Sequence, residues 1–397
     1  MRTPAPGDPR ASRRFAPSDA RRVDSPLVPP PPATPNVAAP AAGSALERGG
    51  AVHRAAADLR EEVAKRIVGM EDVVEQVLIA ILSEHHALLE GVPGLAKTML
   101  VSTIANLVDL TFRRIQFTPD LMPSDVTGSE VLSQDASGAR SFKFLEGPIF
   151  ANVILADEIN RTPPKTQASL MEAMEERSVT SLGVRRPLDR PFFVLATQNP
   201  IEQQGTYPLP AAQLDRFMFK IRLGYPTFED EGRIVRLTTA TLVPPIEKPV
   251  ITKSDLIGFQ LAIAHADVAP EVVKYAVELT RASRPAEATA PKAVKDFVTW
   301  GAGPRAAQAL IAGAKARAML RGRARAEFDD VRALAPAVFR HRMVPSYAAE
   351  ADGVTMDDVT KVLLGHVPYP GRVESRRERS KLSTFVRRLL ALDRPVA

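Results

Sequence analysis

Cysteine does not occur in the 397 residues. Its absence removes disulfides, thiolate nucleophiles and cysteine-ligated zinc from the chemistry open to this chain. Long apolar runs are missing too. No stretch reaches the roughly 18 consecutive apolar residues that suggest a transmembrane helix, and the first residues hold no apolar segment of the kind a secretory signal requires. Positive charge is scarce where a nucleic-acid-binding domain would carry it. The formal net charge is +6, but residues 1–45 hold six Arg against three Asp, and residues 372–397 hold eight Lys or Arg against three Asp or Glu. The 326 residues between them therefore carry a net charge of −2. These absences fit a cytoplasmic protein with no stable membrane insertion, and they make nucleic acid a poor candidate partner.

What is abundant is proline, 35 residues in all, unevenly spread. Residues 1–45 are crowded with Pro, Ala and Arg, including Pro29–Pro32, and show no apolar periodicity. Such a segment buries too little surface to offset its ordering entropy, so it is predicted to be disordered. The rest has the length and composition of a globular body with more than one domain.

The body is organised around Leu88–Leu100. An apolar strand enters a loop reading Gly91-Val92-Pro93-Gly94-Leu95-Ala96-Lys97-Thr98, and a helix is predicted to begin near Lys97. Backbone amides of such a loop, together with the positive end of the helix, make a concave site for phosphate oxygens. Lys97 would reach the β- and γ-phosphates, and the Thr98 hydroxyl would ligate Mg²⁺. Ala96 stands where the usual pattern has its second glycine. If that position requires positive φ, alanine costs roughly 1–2 kcal/mol.

Strand and helix patterns then alternate as a parallel α/β sheet requires. Candidate strands are Ala87–Glu90, Phe112–Phe117, Asn152–Ala156, Phe192–Thr197 and Met218–Leu223. A helix over Leu59–Val68 and a second over Glu71–Ser83 precede them, separated by a break at Ile67-Val68-Gly69-Met70. His85 and His86 read as packing residues, since no second cluster of metal-binding side chains lies near. Two β-hairpins are predicted as insertions, one within Val126–Phe144 turning at Asp135–Gly138, the other turning at Leu182-Gly183. From about Pro226 strands give way to helices, which marks a helical second domain to about Gly371. Beyond it, Leu382, Phe385, Val386, Leu389 and Leu390 follow helical spacing in a basic tail, predicted to be an amphipathic helix over 372–397.

Three further segments fit the phosphate loop. Val153-Ile154-Leu155-Ala156-Asp157-Glu158 describes a buried strand whose acids emerge at its C-terminal end, where open α/β sheets bind ligands. Asp157 would complete the Mg²⁺ shell and Glu158 would polarise the attacking water. The next helix is predicted to use Thr162 as its N-cap with Pro163 first in the helix. Phe193–Thr197 leads to Gln198-Asn199-Pro200, where Asn199 can orient the water or open the turn before the proline. Leu214-Asp215-Arg216-Phe217 offers an arginine that could serve a neighbouring subunit's γ-phosphate, or could pair with Asp215. In the helical domain, Arg305 sits in the first turn of a helix opened by Gly303-Pro304. A cation is disfavoured there, which points to a phosphate or an acidic side chain nearby.

With these motifs in this order, residues 55–371 resemble the MoxR family of AAA+ ATPases. In that resemblance Gly91–Thr98 is the Walker A loop, in which alanine before the lysine is usual, and Ala156–Lys165 is the Walker B segment with Asp157 and Glu158. Thr197–Glu202 followed by Gly205–Pro210 matches a family-specific stretch containing sensor 1 at Asn199. Arg216 matches the arginine finger, Arg305 matches sensor 2, and Ile67-Val68-Gly69 matches the adenine-side segment. Met70, Ala211 and Gly303 replace a usual Gln, Glu and Ser. The resemblance implies a five-stranded parallel sheet in the order 5-1-4-3-2 with a helical lid. It also implies ATP and Mg²⁺ as cofactors, a homo-oligomeric ring, commonly hexameric, and a von Willebrand factor A domain protein as partner. The implied activity is ATP hydrolysis driving chaperone-like remodelling. The alternatives are a DNA-translocating helicase-like motor, which the charge balance disfavours, and a nucleotide-gated adaptor with little turnover. The expected boundaries are 1–45 for the tail, 46–225 for the core, 226–371 for the lid and 372–397 for the basic tail.

Overall fold

The structure is a computed structural model, and it describes residues 45–134, 140–181, 183–200, 205–240, 246 and 248–370. The chain divides into residues 1–41 and 42–397, and all the described residues belong to the second unit. The tail of residues 1–44, the Asp135–Gly138 turn, Leu182, Ile201 and Glu202, and the amphipathic helix expected over 372–397 lie outside the described residues.

Helix α1 (Ala45–Ala64) begins 14 residues before the expected start at Leu59. The Gly49-Gly50 pair costs such a helix roughly 1 kcal/mol per glycine. Burial of Val52, Ala56, Leu59 and Val63 at helical spacing offsets this, and His53 Nδ1 lies 2.8 Å from the carbonyl of Leu320. After the break at Ile67–Met70, α2 (Glu71–Leu82) leads to β1 (His86–Glu90), and α3 (Lys97–Leu107) follows the loop. Strands β2 (Phe112–Gln116), β3 (Val153–Asp157), β4 (Phe193–Gln198) and β5 (Phe217–Arg222) all fall within one residue of the expected bounds. They pair parallel in the order 5-1-4-3-2. Side chains alternate across the sheet as the two-residue strand period demands. Val153, Leu155, Phe193 and Leu195 join the core cluster that contains residues of α1, α2 and α3. Ile154, Ala156, Val194 and Ala196 join the cluster that contains Leu170, Met171 and Met174 of α4 (Pro164–Glu176).

The strand β3 is followed by a 3₁₀ turn, Ile159–Arg161, and only then by α4, whose N-cap is Pro163 and whose first residue is Pro164. The expected cap at Thr162 is thus corrected by one position. Its hydroxyl is buried with no partner among the described residues. Both insertions form antiparallel pairs, Gly128–Gln134 with Arg140–Glu146 and Ser178–Ser181 with Val184–Pro187. A short helix, Pro123–Thr127, takes up the first two residues of the hairpin expected from Val126.

Helices α5 (Phe228–Ala240), α6 (Lys253–Ala264), α7 (Pro270–Ala282), α8 (Pro304–Leu320), α9 (Phe328–Phe339) and α10 (Met356–His366) come next. This part is helical apart from short ladders, Asp267–Val268 with Arg325–Ala326 and Val298–Trp300 with Val344–Pro345. Helix α8 packs closely at Gly313, where a Cβ would lie 2.7 Å from Leu334 Cδ1 of α9 and 3.0 Å from Met218 Cε of β5, so a larger residue would require those side-chain ends to shift.

Candidate active site

The phosphate loop leaves β1 at Gly91, whose amide donates to the Gln198 carbonyl of β4 at 3.3 Å. A Cβ at Gly91 would stand 2.8 Å from Leu223 Cβ, so the backbone there needs glycine. Leu95 is buried and anchors the loop while Pro93 and Gly94 stay exposed, with Gly94 at φ 84. Ala96 is the N-cap of α3 and adopts φ 49, ψ 25. The left-handed conformation suspected from the sequence is therefore present, with its cost of roughly 1–2 kcal/mol. From α3's first residue, Lys97 turns its side chain back over the loop, and Nζ donates to the Gly91 carbonyl at 2.7 Å. The first amides of α3 lack intrahelical acceptors and mark its positive end. A loop of this form running into a helix start is the arrangement that can bind an anion.

The acids emerge two strands away. Every residue of β3 is buried, and the strand ends at Asp157. Thr197 of β4 serves both acids at once: its hydroxyl donates to Asp157 Oδ1 at 2.6 Å and accepts the Glu158 amide at 2.8 Å. Arg114 of β2 donates to Asp157 Oδ2 through Nε at 3.0 Å and Nη2 at 2.6 Å. Gln116 accepts from Arg114 through Oε1 at 2.7 Å and donates to Glu158 Oε2 at 2.8 Å. Arg161 adds a second donor to that oxygen at 3.1 Å. Glu158 lies at φ 57, so the backbone reverses as the strand ends. Sequence reasoning missed Arg114, Gln116, Arg161 and Thr197. The available signal was register, because Gln116 lies opposite Asp157 in the β2–β3 ladder.

Strand pairing brings three motifs to one edge. Glu90 lies opposite Gln198 and Ala156 opposite Ala196. Neighbouring strands are about 4.8 Å apart, so Gly91, Asp157 and the buried Asn199 lie on adjacent strands at the C-terminal edge of the sheet. In the segment expected on the adenine side, Ile67 and Val68 are buried. Gly69, at φ 73, faces Asp230 of α5, whose carboxylate a Cβ would meet at 2.8 Å. Ile67 and Met70 line a cavity of about 240 Å³ with α1 and α2.

The two arginines lie elsewhere. Arg216 immediately precedes β5, whose first residue pairs with His86 at the start of β1, so it stands at the opposite edge from Gly91. The rise of β1 alone separates the two edges by roughly 13 Å. Arg305, in the first turn of α8, is at that same far edge: Arg216 Nη2 is 2.6 Å and Arg305 Nη2 3.0 Å from the two carboxylate oxygens of Glu175 in α4. Arg305 Nη1 is also 3.9 Å from Asp215. The acid partner considered for Arg305 is therefore present within the chain. Gly303 caps α8 without a side-chain bond, as its lack of a side chain requires.

His85 and His86 have packing roles. His86 is buried, its Nδ1 accepting the Val194 amide at 3.0 Å and its Nε2 lying 3.2 Å from the Met174 carbonyl. Burial pushes its pKa down to about 3. Among the described residues no cluster of three or more His, Cys, Asp or Glu could hold a metal by itself. Mg²⁺ does not need one, since it is commonly held by one or two protein oxygens together with substrate phosphates and water. The Thr98 hydroxyl and the Asp157 carboxylate are oxygen donors of the kind that could serve in such a shell.

A phosphate loop, two acids on the next strand but one and an amide between them, on a 5-1-4-3-2 sheet beneath a helical lid, define a P-loop ATPase of the AAA+ class. Residues 86–219 match the ATPase family associated with various cellular activities, and residues 290–362 match the AAA lid domain. Chaperone MoxR1 of Mycobacterium tuberculosis is 45% identical over 309 residues, 78% of this chain and 81% of that protein. Protein MoxR of Methylorubrum extorquens is 31% identical over 333 residues, 80% of this chain and 95% of that one. A crystal structure from Cytophaga hutchinsonii superposes with a TM-score of 0.76 at 39% identity, covering 81% of this chain and 97% of that chain. The chain belongs to the MoxR family of AAA+ ATPases.

Proposed function

We propose that this protein hydrolyses ATP with Mg²⁺ in a homo-oligomeric, hexameric ring and uses the turnover to remodel or mature a protein complex. The observation that supports this most directly is the split of the machinery between two edges of one sheet. Lys97, Asp157, Glu158 and Asn199 gather at the C-terminal edge, whereas Arg216 and Arg305 stand together at the other. An arginine pair that far from its own phosphate loop suits the nucleotide of an adjacent copy.

On this reading residues 46–225 are the nucleotide-binding core and 226–371 the lid. The loop amides and Lys97 hold the phosphates, with Ile67 and Val68 on the adenine side. Thr98 and Asp157 would hold Mg²⁺, which would supply charge neutralisation at the phosphates. Glu158 takes the proton of the attacking water, Asn199 orients that water, and Arg216 and Arg305 balance the charge that develops on the transferred group. Arg114 holds the Asp157 carboxylate through Oδ2. Gln116 keeps Glu158 oriented. A relative carries the name chaperone. The expected partner is a von Willebrand factor A domain protein, and the expected compartment is the cytoplasm. No helix among the described residues is long and apolar enough to cross a membrane.

Glu158→Gln is expected to bind ATP and hydrolyse it at least ~10²-fold more slowly. Steady-state turnover and nucleotide binding measured on one preparation check this, and near-parental turnover would remove Glu158 from its role. Proteins retained by this variant in ATP, but released in ADP, would identify the client.

A further inference from the structure

Glu175 is an acid that neither motif nor phosphate site accounts for. It lies near the end of α4, and its two carboxylate oxygens hold two different guanidinium groups: Oε2 that of Arg216 at 2.6 Å, Oε1 that of Arg305 at 3.0 Å. One arginine belongs to the segment entering β5 and the other to α8, so this carboxylate ties the sheet to the lid. The three side chains line a cavity of about 220 Å³ and are partly exposed, Glu175 at 42%, Arg216 at 30% and Arg305 at 46%. Arg216 Nε has no partner among the described residues. The acid next to Arg216 in sequence, Asp215, receives the buried Arg342 at 2.8 Å and reaches Arg305 Nη1 only at 3.9 Å.

Two guanidinium groups side by side repel each other unless an anion stands between them. A carboxylate presents two oxygens to the pair, as a terminal phosphate would. We infer that Glu175 is a positioning residue. It stands in for the terminal phosphate of a neighbouring copy's nucleotide, holding Arg216 and Arg305 together in the free subunit and releasing them to that phosphate when copies assemble. This rests on the reading that both arginines act across a subunit interface. The carboxylate and the phosphate carry like charge and cannot share the pair, so assembly in the presence of a γ-phosphate must work against Glu175. Assembly with a diphosphate need not, because no γ-phosphate arrives.

The test measures the half-assembly concentration of the full chain by light scattering, with the β,γ-imido analogue of ATP and with ADP, each with Mg²⁺. Glu175→Gln keeps the shape and removes the charge. It is expected to lower the half-assembly concentration about threefold to tenfold in the triphosphate analogue, the range that partly exposed ion pairs support, and to leave it within twofold in ADP. Glu175→Asp, which keeps the charge, is expected to stay closer to the parent. An unchanged or raised value in the triphosphate analogue, or an equal shift in both nucleotides, would overturn the inference. Arg216→Ala separates the two failures. If it retains full ATP turnover, the trans reading fails and the inference goes with it. If it abolishes turnover while Glu175→Gln moves nothing, the inference alone fails.

Discussion

Arg342 is the perturbation with the largest worked consequence. It lies just beyond α9, and its side chain is only 3% exposed. Its guanidinium donates to Asp215 Oδ1 at 2.8 Å and to the carbonyls of Met218, Val338, Asp215 and Phe217 at 2.7–3.1 Å. Burial pulls its pKa below the usual arginine value, against the raising influence of Asp215. Arg342→Met keeps most of the aliphatic stem and deletes every one of these donors. Removing one partner of a buried ion pair costs roughly 3–5 kcal/mol. Asp215 is 30% exposed and regains some water, which sets the expected loss near the lower end, about 3 kcal/mol. With about 2–4 °C per kcal/mol for a domain of 150–250 residues, Tm falls by roughly 6–12 °C. Urea unfolding followed by circular dichroism without nucleotide is the assay, since bound nucleotide would mask the loss. Arg342→Met combined with Asp215→Asn should lose less than the two single variants summed, because the orphaned charge is then gone. A single variant within about 1 kcal/mol of the parent, or strictly additive losses, would show that this pair does not fasten the lid to β5.

Ala96→Gly relieves the left-handed strain at φ 49, roughly 1–2 kcal/mol, and gives back about 0.4–1 kcal/mol through the freer unfolded chain. A net gain of about 0.5–1 kcal/mol in urea unfolding is expected, and a loss would mean that the loop tolerates alanine without strain. His86 sets a pH dependence. Its folded-state pKa lies near 3, below the ordinary value of 6.5. Between these the unfolded chain binds the extra proton, so stability falls as pH drops below about 6.5. His341 is shifted in the same direction by burial. From pH 7.5 to 5.0 the His86 contribution alone weakens the fold by about 2 kcal/mol. Unfolding at the two pH values, with an NMR titration of the His86 ring, checks this. A ring that protonates near pH 6.5 in the folded protein would refute it.

The sequence by itself determined the parts whose chemistry is local. Apolar runs placed the central strands β1, β3 and β4 to within a residue, because a strand buried on both faces cannot hide its composition. The partly exposed edge strand β2, with two arginines in five residues, followed from the alternation of strand and helix. Gly91, Gly94, Lys97 and Thr98 announced a phosphate loop, and two acids closing a buried strand announced their own exposure at a ligand-binding edge. Where local rules competed with distant packing, sequence reading slipped: α1 runs back through Gly49-Gly50, and α4 starts one residue after the expected Pro163. Tertiary structure alone decided which side chains meet. Strand register set Gln116 and Arg114 beside the two acids, and the packing of α8 on the sheet set Arg305 beside Arg216 with Glu175 between them. Neither contact has a sequence period, since each joins residues whose separation along the chain says nothing about their distance in space.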